Sequence, residues 1–239
     1  MYHCNFRTIY EDNYPGKFDD ELARMLIQLY TNKGEVVFDP MAGSGIIPLT
    51  ALSLGRFAIY QDINPAALKL YQDKVHCFCN QLPEGLNKAA ILDSTKELCV
   101  KSGVDLILTS PPFGLVIDAA HDKYSDTSED IGNSPSYEVW RIKMKQIMLN
   151  CFQALKPGAL MIVETRPRAK KNVSYPLNAW ITMDGIDLGF EFFSEYIEVV
   201  PPWRMWSFGI ENQRKPFPMH SYLTILRKPN CRDEKLVTG

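Results

Sequence analysis

Several absences narrow this chain before any motif is considered. No unbroken apolar run reaches the roughly 18 residues that a membrane-crossing helix requires. Met1 to Asp12 is polar and charged where a secretory leader would carry a greasy core. A cytoplasmic or nucleoid location is therefore the expectation, with no membrane partner. The six cysteines are scattered, as reduced thiols are in a chain that needs no covalent stapling. His76, Cys77 and Cys79 are close together but lack the paired spacing of a structural zinc site. Cys151 falls on an apolar helical stripe and Cys99 stands in no nucleophile motif, so no metal and no thiol chemistry is expected. There is no internal repeat, heptad or low-complexity tract. A strongly basic balance is also missing: the formal net charge is −2, which argues against a generally basic nucleic-acid binder. The long G-x-x-x-x-G-K-[ST] phosphate loop is absent. So is G-x-G-x-x-G, because Gly45 is followed by Ile46, Ile47 and Pro48.

What is present fits one full-sized domain over 1–239, with an apolar fraction of 46% and a charged fraction of 23%. Asp19 is placed to cap a helix whose apolar positions Leu22, Met25, Leu26 and Leu29 recur at helical spacing, and Gly34 is expected to end it. Val36–Phe38 reads as a strand and Ile46–Leu54 as a helix stopped by Gly55. Phe57–Tyr60 reads as a strand, and Pro65 as the opening of a helix to about Val75. Ala90–Leu92, Val104–Thr109 and Ala159–Val163 are further strands, with a helix over Tyr137–Leu155 between the last two. Near-continuous apolar strands alternating with helices indicate an α/β fold, a parallel sheet with helices on both faces. Phe190–Val200 and Tyr222–Arg227 leave no room for an obvious helix between them, so a terminal antiparallel pair is expected beside that sheet.

Two short segments carry the chemistry. Asp39-Pro40-Met41-Ala42-Gly43-Ser44-Gly45 follows a buried strand and precedes a helix. Gly43 and Gly45 permit a tight turn and close backbone approach, and the helix start aims N–H groups at the loop, as in a nucleotide-like cofactor site. A demanding turn with no ligand is the plain alternative. Asp62 ends the next strand, close to the expected separation for a ribose-binding acid, and Asp93 lies at the end of the third, where it could receive an adenine amine. Either carboxylate can instead cap the helix that follows it. Asp39 either organises the loop or approaches a methionine ammonium.

Ser110-Pro111-Pro112-Phe113 follows the fourth strand at the same sheet edge. The prolines fix two φ angles and donate nothing, so carbonyls can stay exposed as acceptors. Ser110 Oγ and the Pro111 carbonyl can accept from a nucleobase amine and direct its lone pair, while Phe113 stacks on the ring. The nitrogen gains positive charge during attack, so no strong base is needed beforehand and neither Asp118 nor Asp122 is assigned as one. A Pro-rich strand exit with a core phenylalanine is the bland alternative. Together the segments point to methyl transfer from S-adenosylmethionine to a base amine, in DNA first, with RNA or a free nucleotide as the alternative substrate and a catalytically idle nucleic-acid-binding module as the alternative role.

At these residues the chain resembles the amino-directed DNA methyltransferases, which modify cytosine N4 or adenine N6. Asn13-Tyr14-Pro15-Gly16-Lys17-Phe18 is similar to that family's N-terminal cofactor-pocket motif. Asp39 to Gly45 resembles its glycine loop, Ser110 to Phe113 its catalytic tetrad, and Gly209 through Pro229 its closing hairpin. The resemblance implies a seven-stranded mixed sheet of the class I S-adenosylmethionine-dependent type, ordered 3-2-1-4-5-7-6 with the seventh strand antiparallel. It further implies that Lys17, Phe18, Asp39, Pro40, Met41, Ala42, Gly43, Ser44, Gly45, Asp62 and Asp93 hold the cofactor. Ser110, Pro111, Pro112 and Phe113 would engage a base flipped out of duplex DNA. Serine in the first tetrad position is more like the cytosine-N4 branch, since adenine-directed relatives more often begin with Asp or Asn. Phenylalanine in place of tyrosine keeps the stacking surface without the hydroxyl. The resemblance implies a restriction-modification partner or, alternatively, an orphan or phage-borne modifier.

The chain has no generous recognition domain. Target recognition is therefore expected from the loops 114–135 and 201–219, the basic turn 166–174, a second copy or a partner. Arg166, Arg168, Lys170 and Lys171 oppose Glu164 alone in one segment, and Arg204, Arg214, Lys215, Arg227 and Lys228 oppose Glu211 in another. On a shared rim these would bind phosphate; apart, they are solvated loops. Trp203 and Trp206 suit either base stacking or packing at the sheet edge.

Overall fold

The first helix, α1 (Asp20–Tyr30), begins where its cap demands: the Asp19 carboxylate accepts from Leu22 N at 2.9 Å. Ala23, Leu26 and Ile27 form its buried stripe. The helix stops at Tyr30, short of Gly34. Thr31 N donates to the Ile27 carbonyl as the C-cap, and Gly34, at φ +82°, belongs instead to the turn that hydrogen-bonds Gly55. The structure, a computed structural model, describes residues 17–78, 85–113, 125–170, 173–199 and 220–230.

Strands β1 (Val36–Asp39), β2 (Phe57–Asp62), β3 (Asn87–Ile91), β4 (Val104–Thr109) and β5 (Leu155–Thr165) pair in parallel. After the short hairpin β6 (Arg168–Lys170) and β7 (Val173–Tyr175) come β8 (Glu191–Val199) and β9 (His220–Arg227). The main sheet runs β3-β2-β1-β4-β5-β9-β8, with β9 antiparallel to both neighbours. Counting the hairpin apart, this is the expected seven-stranded mixed order, and the terminal antiparallel pair is present. β3 lies earlier than Ala90–Leu92, because Asn87 to Ile91 is where its backbone pairs with β2.

Successive residues of the central strands enter opposite cores, as strands buried on both faces require. Val37, Leu106, Leu108 and Ile162 pack with α1 and α2 (Ile46–Ser53). Phe38, Ile107, Met161 and Val163 pack with α4 (Tyr137–Ala154) and α5 (Leu177–Asp187). α3 (Pro65–Phe78) joins α2 and β2 through Leu49, Tyr60, Tyr71 and Phe78.

Helix α5 is absent from the sequence reading. Its buried positions are Leu177, Ile181, Asp184 and Gly185, so half of its inward stripe is not apolar. Asp184 is held by Arg141 of α4 in a bidentate pair at 2.8 and 3.0 Å, and a Cβ at Gly185 would meet Leu226 Cδ1 at 2.5 Å. Among the described residues, no helix is long and apolar enough to cross a membrane.

Candidate active site

The right edge for chemistry in such a sheet is the one outside the carboxyl ends of the parallel strands. β1 ends there in Asp39, 3% exposed. Its Oδ1 accepts from Met41 N at 3.1 Å and from Thr109 Oγ1 of β4 at 2.8 Å. Asp39 therefore organises the loop and joins it to the strand that carries the tetrad. Burial pushes its carboxyl up to about 7, against the two hydrogen bonds and with some help from the charge of Asp62.

The loop from Pro40 to Gly45 rests on a polar foundation. Ala42 N donates to the Gln61 carbonyl, Tyr60 Oη to the Gly43 carbonyl at 2.9 Å, and Lys74 Nζ to the Ser44 carbonyl at 2.9 Å. Ser94 Oγ donates to the Pro40 carbonyl and receives Gln61 Nε2. Gly43 and Gly45 sit at φ +51° and +80°, the left-handed region that favours glycine. A Cβ at Gly45 would fall 2.3 Å from Tyr71 Cδ2, in a ring stacked on Tyr60 with centroids 4.4 Å apart. α2 begins at Gly45 with no side-chain cap and no acid in its first turn, so its leading N–H groups are available to an anionic group.

Asp62 closes β2. Its Oδ2 accepts from Gly43 N at 2.7 Å and its Oδ1 from Asn64 N at 2.8 Å. The spacing that suggested a ribose acid thus also braces the loop. Burial raises its carboxyl to about 6, opposed by those backbone donors. Asp93 lies two residues beyond β3. Its Oδ1 accepts from Thr95 N and Oγ1 at 2.9 and 2.7 Å, capping the turn as the alternative reading allowed. Its Oδ2 is buried and makes no hydrogen bond, although Lys96 Nζ lies 3.3 Å away as an ion-pair partner. Burial would raise the Asp93 carboxyl, but Thr95 and Lys96 outweigh it and hold it below the usual range. Phe18 is buried in the α1/α2 core, with Lys17 half-buried beside it.

The tetrad leaves the end of β4. The Pro112 carbonyl accepts from Trp140 Nε1 at 2.7 Å, and the Phe113 carbonyl from Tyr137 Oη at 3.4 Å. Phe113 packs on the α4-side core. The Pro112 carbonyl, one of the two expected to stay exposed as acceptors, thus turns toward α4, as does that of Phe113. Among the described residues none donates to that of Pro111. The register Thr109↔Val163 sets Ser110 beside Glu164 of β5, where the serine hydroxyl favours the ionised carboxylate. Glu164 is buried and is favoured as a carboxylate by Ser221 of β9 as well, whose Oγ accepts from Arg166 Nε at 2.7 Å. Trp140, Tyr137, Glu164 and Ser221 were not among the sequence candidates. An acid ending the apolar run Ala159–Val163 was the available signal.

Other expectations fall differently. His76 and Cys77 are exposed on α3 and Cys151 is buried, while Cys79 lies outside the described residues. No group of three potential metal ligands forms among the described residues. The basic segment after Arg166 contributes the antiparallel strands β6 and β7, while 171–172, with Lys171, lie outside the described residues. Residues 114–124 and 201–219, with Trp203 and Trp206, lie outside the described residues, as do Asn13 to Gly16 of the N-terminal motif.

Comparison with known proteins agrees with this architecture. A family model described as DNA methylase, of the N6/N4 type, matches residues 2–73, which include the glycine loop and Asp62 but not the tetrad. The tRNA (guanine(10)-N2)-dimethyltransferase of Methanothermobacter thermautotrophicus is 27% identical over 112 residues. That match spans 46% of this chain and only 32% of the relative. The structure of TrmN from Thermus thermophilus superposes with a TM-score of 0.60 at 18% identity, over 90% of this chain and 50% of that one. An S-adenosylmethionine-dependent methyltransferase from Methanosarcina mazei gives 0.55 at 15% identity, over 86% and 97%. The fold is that of the class I S-adenosylmethionine-dependent methyltransferases, and S-adenosylmethionine is the cofactor of that fold.

Proposed function

We propose that this chain transfers a methyl group from S-adenosylmethionine to the exocyclic amine of a nucleobase. The observation that carries the proposal is the tetrad Ser110–Phe113, anchored by Trp140 and Tyr137 and tied through Thr109 to the glycine loop. The residues fit the cofactor. The positive-φ turn lets backbone approach closely, the uncapped start of α2 suits a carboxylate, and the unbonded Asp93 Oδ2 suits an amine donor such as that of adenine. Asp62 would accept from the ribose hydroxyls, while Asp39, with Pro40 to Gly45, Lys17 and Phe18, would line the methionine end. When bound, the cofactor supplies an electrophilic methyl on a sulfonium. Ser110 Oγ and the Pro111 carbonyl would accept the amine's N–H groups and fix its lone pair, and Phe113 would hold the ring plane.

Two finer readings have separate support. The serine-first tetrad and the match at 2–73 favour cytosine N4 in DNA, with a base flipped from the duplex. The 112-residue likeness to a tRNA guanine dimethyltransferase favours an amine in RNA, and it reaches further along the chain. Recognition would then rest on 114–135, 166–174 and 201–219, a second copy or a partner. Incubation with labelled S-adenosylmethionine and separate pools of duplex DNA, single strands, tRNA and nucleotides, followed by nucleoside mass analysis, decides between them. Ser110→Ala should bind cofactor within about twofold of the native chain and lose transfer by about a hundredfold. Label on carbon, or on protein alone, would refute the proposal.

A further inference from the structure

The hydrogen-bond network behind Ser110 has a direction. Arg166 Nε can only donate, and it donates to Ser221 Oγ at 2.7 Å. Ser221 and, from the neighbouring strand, Ser110 both favour the ionised form of Glu164, and an ionised carboxylate can only accept. Arg166 already donates to Ser221 Oγ, so Glu164 is the charged acceptor available to the hydrogens of both hydroxyls. The register places these groups side by side: Ser110 follows Thr109↔Val163, Glu164 faces Leu223, and Ser221 lies one position beyond Thr165↔Tyr222. Arg166 also lies 4.0 Å from Glu164 Oε1. The charges facing Glu164 are thus Arg166, just past the end of its own strand, and Glu198, which pairs with Ser221, from β8. Glu164 and Ser221 are buried, while Arg166 reaches partly to solvent.

Resting on the reading of Ser110 as the residue that holds the amine, we infer that Glu164 is the positioning residue that makes Ser110 an obligate acceptor and takes up, through it, the proton the methylated amine sheds. With its hydrogen committed to Glu164, Ser110 Oγ offers only lone pairs. An amine satisfies them; a carbonyl oxygen in the same place would face two acceptors and no donor. The site thereby discriminates for donors, independently of which base carries them. In transfer, the amine lone pair forms the N–C bond as the S–C bond breaks, and that electron pair remains on sulfur. The nitrogen then carries a positive charge and one proton too many. That proton passes to Ser110 Oγ as Ser110 gives its own to Glu164, leaving a neutral methylamine and a neutral carboxyl group. Burial already raises the Glu164 carboxyl above its ordinary range, which makes it a better proton acceptor than a solvated glutamate.

The test compares the native chain with Glu164→Gln, Glu164→Asp and Ser221→Ala, in single-turnover transfer across pH with the RNA or DNA pool the native chain labels. The native rate should climb with pH through the Glu164 titration and then level. Glu164→Gln should cut the rate about tenfold or more at every pH and abolish that climb, while KM for S-adenosylmethionine changes less than about threefold. Glu164→Asp should restore a climb. Ser221→Ala removes one donor to the carboxylate, so its climb should move to higher pH while its plateau stays within about threefold of native. Circular dichroism of each variant confirms the fold. A Glu164→Gln chain that keeps the native rate and pH profile would overturn the inference alone. A native chain that methylates no base amine would overturn it together with the function proposed above.

Discussion

Asp39 allows a quantitative test of how the loop is held. The native carboxyl is raised from 3.8 to about 7, chiefly by burial. Between those values the folded chain keeps a proton that the unfolded chain has lost. Stability is therefore greatest below the unfolded pKa and falls as pH rises toward 7, then levels. One unit is about 1.4 kcal/mol, so the whole shift corresponds to roughly 4 kcal/mol and the part between pH 5 and 7 to about 3 kcal/mol. Domains are stable by only about 5–15 kcal/mol, so the effect is large enough to measure. Asp39→Asn preserves an acceptor for Met41 N and Thr109 Oγ1 but cannot ionise. Urea unfolding of the native chain and the variant at pH 5, 6, 7 and 8 should show near-equal stability at pH 5. At pH 8 the variant should be more stable by a few kcal/mol, with a shallower pH slope. Asp62, raised to about 6, leaves a residual slope in both proteins. Parallel pH curves would refute the claim that Asp39 is held as a buried, desolvated acid. The variant should also bind S-adenosylmethionine more weakly, the recurrent exchange of stability for function at such sites.

Further outcomes follow from the same contacts. Gly45→Ala combines a left-handed φ with a Cβ 2.3 Å from Tyr71, so urea unfolding should show a loss of about 2–5 kcal/mol; a change under about 0.5 kcal/mol would contradict the geometry. Trp140→Phe leaves the Pro112 carbonyl without its donor and should cost about 1–3 kcal/mol while slowing transfer; native stability and rate together would show that the anchor is idle. Calorimetric affinity for S-adenosylmethionine should rise between pH 5 and 7 as Asp39 and Asp62 ionise, and a flat profile would remove both carboxylates from cofactor binding.

What the sequence disclosed was local. Asp19 announced its cap, Val104–Thr109 its strand, and Gly43 and Gly45 their turn, because each depends on residues within a few positions. Helix α5 was hidden because Asp184 and Gly185 occupy inward positions whose logic lies elsewhere: one needs Arg141, the other needs Leu226 close by. The same distinction runs through the site. Asp39, Asp62 and the tetrad stood at strand ends and could be found by spacing. That Asp62 first braces Gly43, or that Glu164 collects Ser110 and Ser221, depends on three strands meeting in one register. Trp140 was visible as part of an apolar stripe; its indole N–H, aimed at Pro112, was not. Nonlocal polar partners were the illegible part, and they are what give the tetrad its direction.

The central claim is that an amine donor sits against Ser110 with its lone pair toward the methyl donor. A crystal structure with S-adenosylhomocysteine and the oligonucleotide the chain modifies measures this directly. The amine nitrogen should lie within hydrogen-bonding distance of Ser110 Oγ, in line with the cofactor sulfur and with its ring against Phe113. A base bound elsewhere, or a carbonyl rather than an amine against Ser110, would contradict it.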